Sequence, residues 1–366
     1  MDVHFNAVKI KYDVMNRITN TIFDSKPIKS INIFINLDNL YGRLKNTKCN
    51  TEFQHCGANA TKQLISNTLN LIGHYRQWGV RKHVDVKVYA YCTFAERSFS
   101  NKIFVPEYRS KFVKSMSIDN PDCYYVNTVM KDAHNLLMSI THYIDGVYII
   151  DSHFTEPSTI PLFIQKDVRS ADWNFIITRD KFEYQYANID RFTIVVPKGD
   201  DSFVVNEGNI WKIIAESEKF DTTFTDKYPP KLYVLALAAM GNTHRSIPKL
   251  KRISWVTIFK YLDKIAEEGF VSEVSQVDAF IDMVCDKYTT PEQFINSITV
   301  TNISTNYSNM DETTKEYIKS QLVDVPDYEN LLALNQMPNM FLNYPINLKF
   351  LTDNGDSFIT KNQFIR

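Results

Sequence analysis

The sequence predicts an α/β protein in which a mostly parallel sheet, covered by helices on both faces, is followed by a helical region. Up to about residue 200, short runs of β-branched and aromatic residues alternate with longer stretches of helical apolar spacing, the pattern of strand–helix–strand units. Two of those runs end in an aspartate, Asp38 and Asp151, and sheets of this kind carry their sites at the carboxyl ends of their strands. After Pro229-Pro230 the strand pattern stops and the apolar spacing becomes helical.

Ile31-Asn-Ile-Phe-Ile-Asn-Leu37, preceded by Pro27, reads as a buried strand because both faces of a parallel sheet are covered and its strands are almost continuously apolar. Residues 58–78 place Leu64, Ile65, Leu69, Ile72 and Tyr75 at helical spacing. Val84 to Cys92 is a second strand, followed by a polar and basic stretch to about Lys114. The apolar segment Tyr124 to Val126 introduces a helix from about Thr128 to Tyr143. Gly146 to Ile150, with Asp151, is a further strand, and Phe175 to Thr178 and Phe192 to Val196 complete the sheet. Helices are expected over Leu232 to Met240, over Trp255 to Glu267 and on to about Leu334. The implied division is an α/β domain over 1–228, a helical region over 229–335 and an irregular tail over 336–366, where Pro338 and Pro345 interrupt regular structure.

The 366 residues suffice for a full core plus a smaller module, and 44% hydrophobic with 23% charged residues is an ordinary globular composition. A net charge of -1 excludes a wholesale polyelectrolyte binder, so nucleic-acid contact would have to come from a local basic patch. Five scattered cysteines are no disulfide framework and point to a reducing, cytoplasmic compartment. Cys49, His55 and Cys56 are followed by no second pair at zinc-finger spacing. No signal or transit peptide and no membrane-length apolar run is recognisable, so a soluble protein is expected. With only ten glycines there is no phosphate-cradling loop, and His134, His142 and His153 stand beside no nucleophile motif.

Four segments, in order, resemble the five-prime nuclease (flap endonuclease) superfamily. Ile33-Phe-Ile-Asn-Leu-Asp38 is similar to its opening strand with a metal-binding acid. Val88-Tyr-Ala-Tyr-Cys-Thr-Phe94, then Pro106-Glu-Tyr108-Arg109-Ser-Lys111, resembles its second strand and the Pro-x-Tyr-Lys motif beyond it. Gly146 to Glu156, followed by Ile176 to Asp180, resembles its third acidic segment. Leu235 to Pro248, with Met240-Gly241 and Ile247-Pro248, resembles the entry to its helix-three-turn-helix. The resemblance spans about residues 31–265 and implies a three-layer, PIN-like α/β domain followed by a helix-three-turn-helix-like region.

The chemistry so implied is phosphodiester hydrolysis by two divalent metals, which needs a crowd of carboxylates in one pocket. Asp38 stands where the first acid belongs. The second acid has no counterpart at Cys92 to Ala95, with Glu96 slightly out of place. The family's acidic run keeps only Glu156, and its Asp-x-Asp pair becomes Asp180-Lys-Phe182. Its Gly-Asp-x-x-Asp-Asn motif is Gly241-Asn242-Thr-His-Arg245-Ser, with both acids gone and a positive charge at one position. Asp38, Glu156 and Asp180 are therefore the candidate catalytic and metal-binding residues, enough for one loosely held Mg²⁺ or, as a vestige, for a hydrogen-bonded cluster that Arg245 would pair with.

Arg109, Lys111 and Lys114, and separately Lys249, Lys251 and Arg252, are the candidate nucleic-acid contacts, with Phe104, Tyr108 and Phe112 placed either to stack on bases or to pack. The hairpin glycines of the family are missing at 249–255. The expected function is a nucleic-acid-binding or structural protein that has lost two-metal catalysis, with DNA, single-stranded or branched, as partner and RNA open. Two alternatives stay open: an active Mg²⁺ nuclease using Asp38, Glu156 and Asp180 with Glu96, Asp151 or Asp172, and an interaction module in a virus particle or replication complex. A protein partner would use the C-terminal region. The Asn, Ile, Lys, Tyr and Phe richness suggests an AT-rich, viral genome.

Overall fold

The computed structural model describes residues 27–37, 83–92, 100–108, 146–152, 155–197, 202–220, 227–243, 245–269 and 272–322, together with helical positions at 65, 68, 69, 71–73, 75, 76, 134, 135, 137, 138 and 141. Six strands form one sheet: β1 Ser30–Asn36, β2 Asp85–Cys92, β3 Val147–Asp151, β4 Trp173–Ile177, β5 Phe192–Val196 and β6 Phe203–Val205, in the order β3-β2-β1-β4-β5-β6. All pairs are parallel except β5 with β6. The chain builds outward from β1 to β3, then crosses back to lay β4 against the other side of β1. The topological switch therefore falls between β1 and β4, where the diverging connections leave a crevice at the carboxyl ends of the strands.

Alternation along the strands sorts side chains to the two faces. On one face the register aligns Phe34 with Tyr89 and Tyr89 with Tyr148, and the rings stack at centroid separations of 5.2 and 5.1 Å. Two residues further along the same strands, Asn36 and Tyr91 stand in register on this face, at the end where the crevice opens. The opposite face carries Ile33, Ile35, Val88 and Ala90, all buried; the helical side chains Ile65, Leu69, Ile72 and Leu137 are buried as well.

Helical segments close the aromatic face. A short 3-10 turn at Pro157–Thr159 runs into α1, Ile160–Phe163, which ends in a π-helical turn over Ile164–Val168. A longer 3-10 helix, Lys181–Asn188, follows β4, and α2, Ile210–Ser217, follows β6. Then come α3 Tyr233–Met240, α4 Trp255–Glu268, α5 Glu273–Cys285, α6 Pro291–Thr301, α7 Ile303–Ser308 and α8 Glu312–Ser320. Ser254, Ser272, Thr290 and Asp311 each cap a helix N-terminus by accepting from a backbone N–H of the first turn. α3, YVLALAAM, is apolar all round because it is the buried centre of this region, and its alanines allow close packing against α6. One continuous apolar core joins Phe34 on β1 to Ile318 on α8.

β1, β2, β3, β4, β5, α3 and α4 lie within a residue or two of the runs expected from sequence. β6, α1 and the 3-10 helix were not anticipated. The segment 124–126 and most of 128–143 lie outside the described residues. No helix among the described residues is long and apolar enough to cross a membrane.

Candidate functional site

The crevice holds a buried ionic cluster centred on Arg245. Its position follows from a tight loop at the C-terminus of α3. Asn242 and Ile247 exchange backbone hydrogen bonds of 3.0 Å each way, and the Asn242 side chain accepts from the Arg245 backbone N–H at 3.0 Å. Gly241 makes the crossing possible. Its φ is +66°, and a Cβ there would stand 2.5 Å from the Lys249 nitrogen and 2.7 Å from the Ile247 oxygen. Ser246 in this loop also carries positive φ, as does Arg252 on the turn that follows it. The Met-Gly-x-x-x-x-x-Ile-Pro pattern is thus the sequence of a loop folded back on itself with Arg245 at its tip.

From that tip the guanidinium enters the protein, with its side chain 5% exposed. Its Nε donates to Glu156 Oε1 at 3.0 Å, and Nη2 lies 2.8 Å from Glu156 Oε1 and 2.8 Å from Asp180 Oδ2. The group stacks over the Phe182 ring at 3.9 Å. Burial opposes the charge, but Asp180 and Glu156 outweigh it and hold Arg245 ionised, with a pKa well above its ordinary value.

Each carboxylate is fixed by its own element. Glu156 precedes the 3-10 turn after β3, is 1% exposed, and accepts from the Tyr108 hydroxyl and, at 3.4 Å, from Ser158. Asp180 caps the 3-10 helix: Oδ1 accepts from the Phe182 backbone N–H at 2.9 Å, leaving Oδ2 for Arg245. Tyr186 ties the two segments together, donating to the Ser158 carbonyl at 2.6 Å and accepting from the Leu162 N–H at 3.2 Å.

A third carboxylate, Glu183, lies one 3-10 turn beyond Asp180 and is completely buried. It accepts from the Tyr91 hydroxyl at 2.5 Å and from Asn36 Nδ2 at 2.9 Å, the two residues that the strand register delivers to this end of the sheet. Burial first, then the charge of Asp180, pushes its pKa up to about 7, against hydrogen bonds from Thr178, Tyr91 and Asn36 that favour the ionised form. Sequence reasoning missed Glu183. The available signal was an acid inside the aromatic run Phe182 to Tyr186, three residues after Asp180.

Of the residues expected to form the site, Glu156 and Asp180 meet through Arg245, and Asp38 lies outside the described residues, as do Glu96, Arg109, Lys111, Lys114, Phe112, Cys49, His55 and Cys56. Tyr108 cannot stack on a base, because it is fully buried with its hydroxyl on Glu156; Phe104 packs against the core. Asp172 stands at the opposite end of the sheet, where it accepts from the backbone N–H groups of Lys29 and Ser30, so it belongs to no site at the carboxyl ends. Asp151 is held from another element: the Gln321 side chain bridges its backbone N–H and carbonyl, and the Tyr317 hydroxyl lies 3.4 Å from its carboxylate. His134 lies 3.4 Å from the Cys92 sulfur, and burial lowers its pKa to about 3. Lys249, Lys251 and Arg252 are exposed on the turn between the Arg245 loop and α4. Among the described residues no group of three or more His, Cys, Asp or Glu side chains has metal-binding geometry.

No protein-family model matches the sequence, and neither does any curated protein. Among solved structures, that of the bacteriophage T5 5'-exonuclease with zinc ions bound matches with a TM-score of 0.50 at 12% identity, over 80% of this chain and 98% of that one. The chain has a five-prime nuclease-like fold. The T5 flap endonuclease in a pseudo-enzyme–product complex with DNA and metal ions covers the same shares at 11% identity and a TM-score of 0.49. On the five-prime nuclease-like fold of this chain, the crevice between β1 and β4 is lined by three carboxylates, and a guanidinium is inserted between two of them.

Proposed function

We propose that this chain is a nucleic-acid-binding protein on a five-prime nuclease-like scaffold in which two-metal hydrolysis has been lost. The observation that carries this is Arg245, whose buried guanidinium contacts the Glu156 and Asp180 oxygens at 2.8 Å. Two adjacent divalent ions need many oxygen ligands, with Mg²⁺ demanding a near-octahedral set at about 2.1 Å. Two of the three candidate ligands, Glu156 and Asp180, already spend an oxygen on Arg245, which supports the loss of a two-metal centre. A tethered cation takes up the charge that a metal would otherwise balance.

The binding half of the proposal rests on the exposed Lys249, Lys251 and Arg252, which sit beside the N-terminus of α4 with no acid on the same turn. DNA is the favoured partner, with single-stranded or branched forms first.

Incubation with a labelled flap and a nicked duplex in Mg²⁺ or Mn²⁺, read for both retardation and cleavage, tests the reading. The expected outcome is salt-dependent binding with no cleavage. Metal-dependent cleavage that disappears in Asp38→Ala would overturn it. Failure to bind any DNA or RNA at low salt would move the scaffold's role to protein assembly.

A further inference from the structure

A second feature of the helical region is independent of the ionic cluster. A cleft of about 520 Å³ opens between the 3-10 helix, α3, α5, α6 and α7, lined on its apolar walls by Val234, Val277, Ile281, Ile295, Ile298 and Ile303. Ile295 is 53% exposed at its edge, and Val274, on the neighbouring stripe of α5, is 70% exposed. Val234, Val277, Ile281 and Ile298 are half-buried along its walls and Ile303 is buried at its base, so the cleft is an apolar groove with Ile295 open at its edge.

The charge around the cleft is one-sided. Along α5 the stripe Glu273, Val277, Ile281 recurs every four residues and lines the cleft, and the adjacent stripe is Val274, Asp278, Asp282. Along α6, Glu292 lies one turn before Ile295. Asp278, Asp282 and Glu292 are exposed and give the rim its net negative charge, whereas the exposed Glu273 and Asp190 are each balanced by a base. The base on the lining, Lys231, is spent on Glu273 at 2.6 Å. Arg191 is paired with its neighbour Asp190 at 3.5 Å.

We infer that this cleft is a docking groove for a basic amphipathic helix of a partner protein. The α5 stripe from Glu273 to Ile281 spans eight residue steps, about 12 Å at 1.5 Å per step, or roughly two turns of an incoming helix. Two turns place three apolar side chains, at i, i+3 or i+4, and i+7, on one face, and basic residues on its flanks meet the acidic rim. The same acids repel a phosphate backbone. They also repel a second copy of the groove, which a two-fold contact would bring face to face with itself. The chain's own residues 323–366 are a poor match, because five acids (Asp324, Asp327, Glu329, Asp353, Asp356) outnumber three bases (Lys349, Lys361, Arg366).

The test uses the full chain and a fluorescein-labelled peptide of about 15 residues, leucine at helical spacing and lysine elsewhere, with anisotropy read at roughly 0.15 M salt. A scrambled peptide of the same composition and a leucine–glutamate counterpart serve as controls. The ordered basic peptide is expected to bind at least about tenfold tighter than either control, and Ile295→Asn to remove about tenfold of that affinity. Ile295 is an exposed position, and circular dichroism checks that the variant folds. The double variant D278K/D282K is expected to transfer preference toward the leucine–glutamate peptide. Equal binding of the scrambled peptide, or indifference to Ile295→Asn, would show mere charge attraction and overturn the inference. So would self-association abolished by Ile295→Asn, which assigns the groove to a second copy, or binding that appears only after removal of 323–366, which assigns it to the chain's own tail.

Discussion

Replacing Arg245 with methionine keeps most of the aliphatic packing on Phe182 and deletes the charge. The substitution removes three contacts of 2.8–3.0 Å and strands Glu156, whose side chain is 0% exposed, while Asp180 at 22% keeps some access to water. Breaking a buried pair from one side costs about 3–5 kcal/mol, chiefly because the surviving charge is buried without compensation. Summed over 366 residues at roughly 2.1 cal/mol/K each, the unfolding entropy converts 1 kcal/mol into about 1.3 °C, so the melting temperature should fall by about 4–6 °C. Calorimetry, with urea unfolding as a second probe, reads both quantities. Adding Glu156→Gln to Arg245→Met removes the stranded charge and should recover more than half of the loss, giving a strongly non-additive double-mutant cycle. A loss below about 1 kcal/mol, the range of a solvent-exposed pair, or an additive cycle would refute the claim that this cluster is a buried, mutually dependent unit.

Arg245→Met should also acquire a melting-temperature increase on addition of millimolar Mn²⁺ that the unmodified chain lacks, because removing the tethered cation frees the Glu156 and Asp180 oxygens; no difference between the two proteins would count against the exchange. Folded Glu183 holds its proton up to about pH 7, whereas the unfolded residue loses it near 4.5. Its contribution is therefore complete below pH 4.5 and is lost as pH rises through 7, by about 3 kcal/mol, a decline that Glu183→Gln should flatten in pH-dependent urea titrations. His134 has the opposite sign: its folded pKa of about 3 lies below the unfolded 6.5, so stability is lost as pH falls from 6.5 towards 3, by about 5 kcal/mol at most, and His134→Gln should remove that slope. Replacing Lys249, Lys251 and Arg252 together with alanine should weaken duplex binding uniformly across sequences and lower the logarithmic salt slope by about 2.7, as three lost phosphate contacts require.

The sheet was legible because parallel strands buried on both faces are written as nearly continuous apolar runs, as in Ile31 to Leu37 and Gly146 to Ile150. β6 was not, since Phe203–Val205 is three residues long and is held by its antiparallel pairing with β5 rather than by any pattern of its own. The helix over Lys181–Asn188 failed for a related reason: a 3-10 repeat of three sets Asp180, Glu183 and Tyr186 on one face, a period that a search at 3.6 passes over. That period also hid Glu183, whereas Glu156, Asp180 and Arg245 were exposed by ordered motifs. Tyr108 was visible as part of Pro106-Glu-Tyr108, but whether its ring faces a base or a carboxylate depends on the long-range contact with Glu156. Local sequence does not encode such a contact.

The ionic cluster shows how a crevice lined by acids can be neutralised from within the chain. At the carboxyl ends of the strands the segments leaving β3 and β4 converge Glu156, Asp180 and Glu183 in surroundings too dry for three free negative charges. Two devices lower the charge. Arg245 supplies one positive charge across both Glu156 and Asp180, and burial beside Asp180 lets Glu183 keep a proton up to about pH 7 despite the hydrogen bonds it accepts from Tyr91 and Asn36. With that proton in place the three acids and Arg245 sum to one negative charge, and Asp180 is the carboxylate among them with access to solvent. Neither device can be withdrawn alone without leaving the other insufficient. Since a buried ion pair stabilises little in its own right, the presence of Arg245 is better explained by the carboxylates it neutralises than by any stability it adds.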